Sequence, residues 1–408
     1  MTPFRLLIRS LSFREDRGTE LQRIPSQEWP RLLEICDRTQ MTLSIGVRHR
    51  EVLPDPVRDR IDKNIKSNMV RQDVLFNEYG LIASTLQKHS IGFVVLKGFT
   101  QIAPLYVPDQ CYRPQYDIDL YCPPEFLEPA RDALLRSGLT PVRAFSKHAD
   151  HLPPMIRNKN WKWRGDYFDS DLPLTVEVHF RFWHAQRERI AVPSTAGFWQ
   201  RRTRRNIRGL DVPMLDLADS ISYSALHLMR HLLRGDVRTY HVYEVAHFLH
   251  HTRQDGALWR EWLDRHSGTV PHIESAAFRL AREWFDCEVH PVVDEAIRSL
   301  PPKVQRWFDL FGNSPLALER PNKDELFLHL SFVPDVRSRC IIFVRRMLPF
   351  RTPCTVDVQR RSSLPRAVSG ALRQISFVLN RASHHGRTIG PLLWNLLRWT
   401  MANRKYAA

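Results

Sequence analysis

Residues 91–121 read IGFVVLKGFTQIAPLYVPDQCYRPQYDIDLY. The run 91–96 is apolar and rich in β-branched residues, the composition of a buried strand. Lys97-Gly98 ends it. Glycine lets the backbone come close to a ligand, and lysine brings a positive point charge to the same turn. Residues 99–106 are expected to form a short helix whose free amide groups face that spot. Asp117-Ile118-Asp119-Leu120-Tyr121 then alternates polar and apolar. Side chains two apart on a strand share a face, so Asp117 and Asp119 project together, opposite Ile118 and Leu120.

Two carboxylates roughly 7 Å apart along a strand repel each other unless a cation lies between them. A hard divalent ion such as Mg²⁺ takes carboxylate oxygens together with substrate phosphates. A glycine turn that binds phosphate, followed by an acidic strand that binds metal, makes one site for a nucleoside triphosphate. Asp-x-Asp alone is more often a solvated hairpin strand; the Lys-Gly turn before it reverses that balance. Further on, LPLTVEVHFRF (residues 172–182) also alternates, with Thr175, Glu177, His179 and Arg181 on one face and Val176, Val178, Phe180 and Phe182 on the other. An acid in mid-strand is unfavourable unless exposed or liganded, so by itself this segment reads as a half-exposed edge strand.

These stretches resemble a family of uncharacterised bacterial nucleotidyltransferases within the DNA polymerase β-like nucleotidyltransferase superfamily. The shared pattern is Leu96-Lys97-Gly98, the Tyr106-Val107-Pro108 segment, Arg113 and Asp117-Ile118-Asp119-Leu120, then Glu177-Val178-His179-Phe180. The resemblance covers residues 26–265. It departs from the wider superfamily at the turn, where Gly98-Phe99 lacks the serine hydroxyl that others place on the phosphate.

The resemblance implies an α+β fold: a small mixed sheet flanked by helices, with a helical N-terminal portion and a helical C-terminal domain. It implies Asp117, Asp119 and Glu177 as catalytic residues and as ligands of Mg²⁺, with Mn²⁺ as the alternative ion. Lys97, Gly98, Arg113 and His179 are then the nucleotide-binding set, although an exposed structural role for Arg113 reads equally well. The family also carries two histidines on a leucine-rich helix, followed by a helix with an acid. His227 and His231, then Glu244, fit that outline, as contacts to the nucleotide or the catalytic domain, or as an i, i+4 metal pair. The implied reaction moves a nucleoside monophosphate from a triphosphate, ATP being expected, to an acceptor hydroxyl on a small molecule, a glycan or lipid precursor, or a protein. The competing reading is a non-catalytic nucleotide-binding scaffold.

The 408 residues suggest more than one domain. The expected division is a helical region at 1–66, the catalytic domain at 67–210, a helical domain at 211–325 and a basic, largely helical tail at 326–408. Residues 1–23 read as weakly ordered. A helix opens at Ser26-Gln27-Glu28-Trp29-Pro30 with serine as its cap. Others are expected after Asp55-Pro56 and over 68–89, the latter with Val70, Val74, Leu75, Leu81, Ile82 and Leu86 as its apolar face. Residues 125–137 form a helix stopped by Gly138, and 141–145 form a strand. Residues 215–234 and 240–251 are amphipathic helices, with His247, His250 and His251 on the surface. Helices are also expected over 257–266, 273–285 and 304–311, and no strand pattern appears between 183 and 325.

Six scattered cysteines without a Cys-x-x-Cys pair read as reduced thiols of a cytoplasmic protein without a zinc site. No apolar run is long enough to span a membrane. The net charge is +16, of which the tail contributes +12, with 14 Lys and Arg against 2 Asp and Glu. Its last stretch, LLWNLLRWTMANRKY, mixes tryptophan, leucine and arginine as interfacial helices do. The tail therefore reads as a packed helical end or as a docking element for a membrane surface or nucleic acid, making the protein peripheral to the membrane in the former docking case. The basic balance argues against a cationic acceptor such as an aminoglycoside.

Overall fold

The computed structural model describes residues 2–101, 113–142, 150–157, 161–266, 271–317, 322–347 and 366–404. The Tyr106-Val107-Pro108 segment, most of the short helix expected after Lys97-Gly98 and most of the strand expected at 141–145 lie outside the described residues. In chain order, helices α1 (Pro3–Ser10), α2 (Trp29–Thr39), α3 (Thr42–His49) and α4 (Asp55–Lys88) lead into the sheet. There follow β1 (Val94–Leu96), β2 (Asp117–Tyr121), α5 (Pro124–Arg136), β3 (Thr140–Pro141), β4 (Met155–Ile156), β5 (Thr175–His179), the single turn α6 (Ala185–Glu188), β6 (Thr203–Ile207) and β7 (Leu210–Met214). The remainder is helical: α7 (Leu217–Arg234), α8 (Thr239–His251), α9 (Gly256–Asp264), α10 (His272–Phe285), α11 (Pro291–Arg298), α12 (Pro302–Phe311), α13 (Glu325–Phe332), α14 (Val336–Met347) and α15 (Arg366–Arg404).

The strands form one mixed sheet in the order β3-β4-β5-β2-β1-β7-β6, and helices flank it, as an α+β fold requires. The alternation of β2 and β5 decides which residues face which layer. Ile118, Leu120, Val176 and Val178, with Val95 of β1, pack against Leu75, Phe76, Tyr79, Ile82 and Leu86 of α4 and against Ala130 and Leu134 of α5. The opposite face carries Val94, Leu96 and Tyr121, which meet Phe182, Phe198, Leu215 and Tyr223. Asp117, Asp119, Glu177 and His179 therefore look toward α7 and away from α4. β2 and β5 run parallel, with Asp119 beside Glu177 and Tyr121 beside His179.

The structure departs from the sequence reading at several places. Of the stretch 1–23 that reads as weakly ordered, the described residues 2–23 are packed: Thr2 caps α1, and Phe4, Leu7, Ile8 and Leu11 are buried. They share one hydrophobic core with α2, α3, the start of α4 and the helices from α7 onward. A helix this short gains its stability from such packing, which local propensity does not reveal. Ser26 lies in a 3₁₀ turn before α2, and no side chain caps α2 itself. The helices expected after Pro56 and over 68–89 are one element, α4. Its apolar face includes Leu75, Ile82 and Leu86, whereas Val70, Val74 and Leu81 are exposed.

The polar middle of α4 explains why it reads as a break. Asn68, Arg71 and Gln72 are buried there because they hold the backbone that leads into β2. The Asn68 and Gln72 amides donate to the Arg113 carbonyl at 3.3 and 3.0 Å. Arg71 Nε donates to Gln115 O at 2.8 Å, and its Nη1 to Leu172 O at 2.7 Å.

The hairpin β6–β7 is also absent from the sequence reading, because its outward positions hold arginine rather than a β-branched residue. Its signal is Arg208-Gly209, both with positive φ (51° and 80°), the two-residue turn that joins tightly twisted strands. β7 pairs in parallel with β1 and so extends the sheet past the Lys97-Gly98 turn. Helix α11 was not expected either. His247, read as a surface residue, is 4% exposed, with its ring stacked on His251 at 3.9 Å. Among the described residues no helix is long and apolar enough to cross a membrane.

Arg71→Met removes two buried donors and leaves the Gln115 and Leu172 carbonyls unpaired. It is expected to lower unfolding stability by about 2–4 kcal/mol, measured as a reduced urea midpoint with an unchanged slope.

Candidate active site

The turn after β1 is built on two successive left-handed residues, Lys97 (φ 56°) and Gly98 (φ 59°). A lysine in that conformation is strained and persists only where its surroundings hold it. Thr100 Oγ1 donates to the Lys97 carbonyl at 2.8 Å. A Cβ on residue 98 would collide with the Gln115 amide, which donates to the Asp117 carbonyl at 2.7 Å. Glycine is thus required both by its φ and by close approach to the strand that carries the acids. Phe99 is fully buried between Phe76 and Tyr79, each ring centroid 5.0 Å away.

The strained turn aims Lys97 at the acidic strand. Lys97 Nζ is 2.8 Å from Asp119 Oδ2, and His179 Nε2 is 2.8 Å from Asp119 Oδ1. His179 Nε2 lies 3.7 Å from Glu177 Oε2, and His151 Nε2 lies 3.8 Å from the same oxygen. One ligand atom each from Asp119, Glu177 and His179 falls within 4.8 Å of the others. The donor set of two carboxylates and one imidazole suits a divalent cation, and the two carboxylates supply the oxygens that Mg²⁺ prefers.

The charges show how strongly these acids interact. Burial, reinforced by repulsion from Asp119, raises the Asp117 carboxyl to about 6. Glu177 is also raised, by burial first and then by Asp119. Burial acts on Asp119 in the same sense, but Lys97 and His179 outweigh it and hold that carboxyl below its ordinary range. His179 is lowered by burial despite its bond to Asp119. The site therefore holds one fixed anion flanked by two carboxyls that resist ionising together, a repulsion that a divalent cation relieves.

Helices α7 and α8 roof the site. They enclose a cavity of about 220 Å³ whose walls include Lys97, Gly98, Asp117, Asp119, Glu177 and His179 below and His227, Arg230, His231, Arg234, Arg238 and His241 above. A cleft of about 680 Å³ near α1 is larger, but the three acids do not reach it. Most cationic groups of the roof are already paired: Arg230 with Asp150 at 2.6 Å and Arg234 with Glu188 at 2.5 Å. Arg238, exposed at the rim, makes no ion pair among the described residues. Arg113 lines the cavity, but it is buried rather than exposed. Its Nε donates to Glu244 Oε1 at 2.6 Å, and its guanidinium sits over the Tyr240 ring. The acid expected on the second helix thus anchors Arg113.

Lys97, Gly98, Arg113, Asp117, Asp119, Glu177, His179, His227 and His231 line this cavity and Glu244 does not. Asp117, read as a metal ligand, lies outside the ligand cluster, in which His179 stands beside Asp119 and Glu177. Asp150, His151, Arg238 and His241 were not read from the sequence. Residues 148–162 show no periodicity, and His241 has no partner at helical spacing on its own helix. Its ring neighbours, His227 and His231, come from α7, one element away.

A family model described as an uncharacterised nucleotidyltransferase matches residues 25–286, and the chain belongs to that family. No curated protein and no solved structure matches it.

Arg113→Leu leaves Glu244 buried without its partner and is expected to cost about 3–5 kcal/mol of stability. The double variant Arg113→Leu/Glu244→Leu should recover most of that loss in denaturant titrations. A double variant no more stable than the single one would show that the pair does not act as a unit.

Proposed function

We propose that this chain is a Mg²⁺-dependent nucleotidyltransferase that moves a nucleoside monophosphate from a nucleoside triphosphate to an acceptor hydroxyl. One observation carries the reading: Asp119 and Glu177 are lateral neighbours across the parallel β2–β5 pair, with the Lys97-Gly98 turn delivering an ammonium to the same carboxylate. The family membership supports the class of reaction. The intact acidic set favours catalysis over a nucleotide-binding scaffold.

Asp117, Asp119 and Glu177 would hold Mg²⁺, which when bound stabilises charge on the α-phosphate and on departing pyrophosphate. Gly98 admits the triphosphate close to the backbone, and Lys97 and Arg238 donate to its oxygens. His179 fixes the orientation of the Asp119 carboxylate. Glu177, less acidic than an ordinary glutamate, takes at Oε2 the proton of the acceptor hydroxyl as the acceptor oxygen bonds to the α-phosphorus and the bond to pyrophosphate breaks. Asp119→Asn should bring Mg²⁺-dependent pyrophosphate release to background, and Glu177→Gln should lower it by about 10²–10⁴-fold. Circular dichroism should stay unchanged for both. The acceptor would be found by mass spectrometry after incubation with labelled triphosphates and cell extract. Release unaltered in both variants would remove the assignment.

The same reading puts the enzyme on an anionic membrane surface through α15. That helix carries six arginines and no acidic residue. One side docks on the body: Leu392 is buried, Trp399 stacks on Phe327 at 5.7 Å, and Asn395 Nδ2 donates to Asp324 Oδ1 at 2.8 Å. Another side leaves Ile375, Leu379, Ile389, Leu393, Leu397 and Met401 exposed. At helical spacing these form one apolar stripe about 40 Å long, the form of a helix lying in the lipid interface. The full chain should sediment with phosphatidylglycerol vesicles and not with phosphatidylcholine. Leu393→Glu/Leu397→Glu should abolish sedimentation and spare pyrophosphate release. Binding to RNA in place of vesicles would assign the tail to nucleic acid.

A further inference from the structure

The roof of the cavity carries a second cluster of ligand atoms, with no carboxylate in it. His227 and His231 stand one turn apart on α7, and His241 enters from α8. Their ring centroids are separated by 4.6, 4.7 and 5.5 Å, and one ring nitrogen of each lies within 4.8 Å of the others. His227 Nε2 and His231 Nε2 are 3.2 Å apart. Two nitrogens bound tetrahedrally to one Zn²⁺ at about 2.0–2.1 Å stand about 3.4 Å from each other. The helix therefore already holds this pair near the spacing of two zinc ligands. The other nitrogen of His231, Nδ1, is 3.2 Å from Asp236 Oδ2, an approach without hydrogen-bond geometry. A carboxylate behind an imidazole steadies the tautomer and orientation of metal-bound histidines once it accepts from the ring. His241 Nδ1 is buried with no hydrogen-bond partner among the described residues, so the third ring keeps a polar atom with nothing to satisfy it.

We propose that His227, His231 and His241 bind a borderline transition cation, with Zn²⁺ as the representative ion, at a site distinct from the carboxylates. Three imidazoles suit zinc, whereas Mg²⁺ requires oxygen ligands. Because the three line the cavity, the fourth position opens to solvent and substrate, as in zinc sites that exchange a water for a ligand. The two sites communicate through one side chain. Lys97 Nζ lies 3.3 Å from His227 Nε2 as well as 2.8 Å from Asp119 Oδ2. A cation that takes the His227 lone pair leaves Lys97 to Asp119 alone. The proposal concerns binding and stands whether or not the chain transfers nucleotides.

The test is titration of the metal-free full chain with Co²⁺, followed by visible absorption. About one equivalent should develop a tetrahedral d–d band, displaced by stoichiometric Zn²⁺ and untouched by millimolar Mg²⁺. His241→Gln and His227→Gln should each weaken binding by about tenfold or more, while Glu177→Gln should leave it within about twofold. Circular dichroism on each variant guards against misfolding, and two histidine variants are used so that one failing to fold still leaves the other. Retained binding in a folded histidine variant, loss in Glu177→Gln, or no band at micromolar Co²⁺ would each overturn the proposal.

Discussion

The ion pair between Lys97 and Asp119 is the contact on which the rest of the site depends. It joins the end of β1 to the middle of β2, in a place where neither group could be buried alone. The pair exists because the chain accepts two left-handed residues in succession at the turn, and because the neighbouring strand leaves room only for glycine at position 98. His179 then occupies the second oxygen of Asp119, and the parallel register of β2 and β5 sets Glu177 alongside. One strained turn and one register thus determine where four functional groups meet.

What holds this arrangement is largely polar and comes from elements far away in sequence. The middle of α4 contributes Asn68, Arg71 and Gln72 to backbone carbonyls just before β2. The roof contributes Arg113–Glu244 and Arg230–Asp150, both buried. Such pairs add little net stability compared with apolar packing, but removing one partner is costly. They therefore act as positioning devices that tie the sheet to α7 and α8. Lys97 and most roof cations are neutralised by fixed partners, so among the described residues the charge left without an ion pair at the cavity rim is that of Arg238.

Strands β2 and β5 were legible because their acids occupy the polar positions of a strict two-residue alternation. The turn was legible because Lys-Gly follows a β-branched run. Helices α7 to α10 and α12 announced themselves by period, whereas α11 did not. What stayed hidden depended on tertiary context. The polar stretch of α4 looks like a break until its buried side chains are seen to grip a loop. α1 looks loose until its four apolar residues meet a core assembled from the other end of the chain. The β6–β7 hairpin disguises itself with arginines, and His241 becomes a ligand candidate only beside residues of another helix. The alternative of an exposed structural Arg113 failed for the same reason, since its partner Glu244 lies 131 positions away.

The two borders of the sheet differ from its interior. At one end β3 is two residues long and includes Pro141, which has no amide hydrogen to offer a further strand. At the other, β6 presents Arg204 and Arg205 on its exposed length. A second molecule approaching either border would find a missing donor or the long charged side chains of Arg204, paired with Asp211, and Arg205, so the sheet resists growing by end-to-end addition. An open, unclosed sheet in a crowded cell is thereby kept from seeding aggregates, with only a few side chains spent on the task.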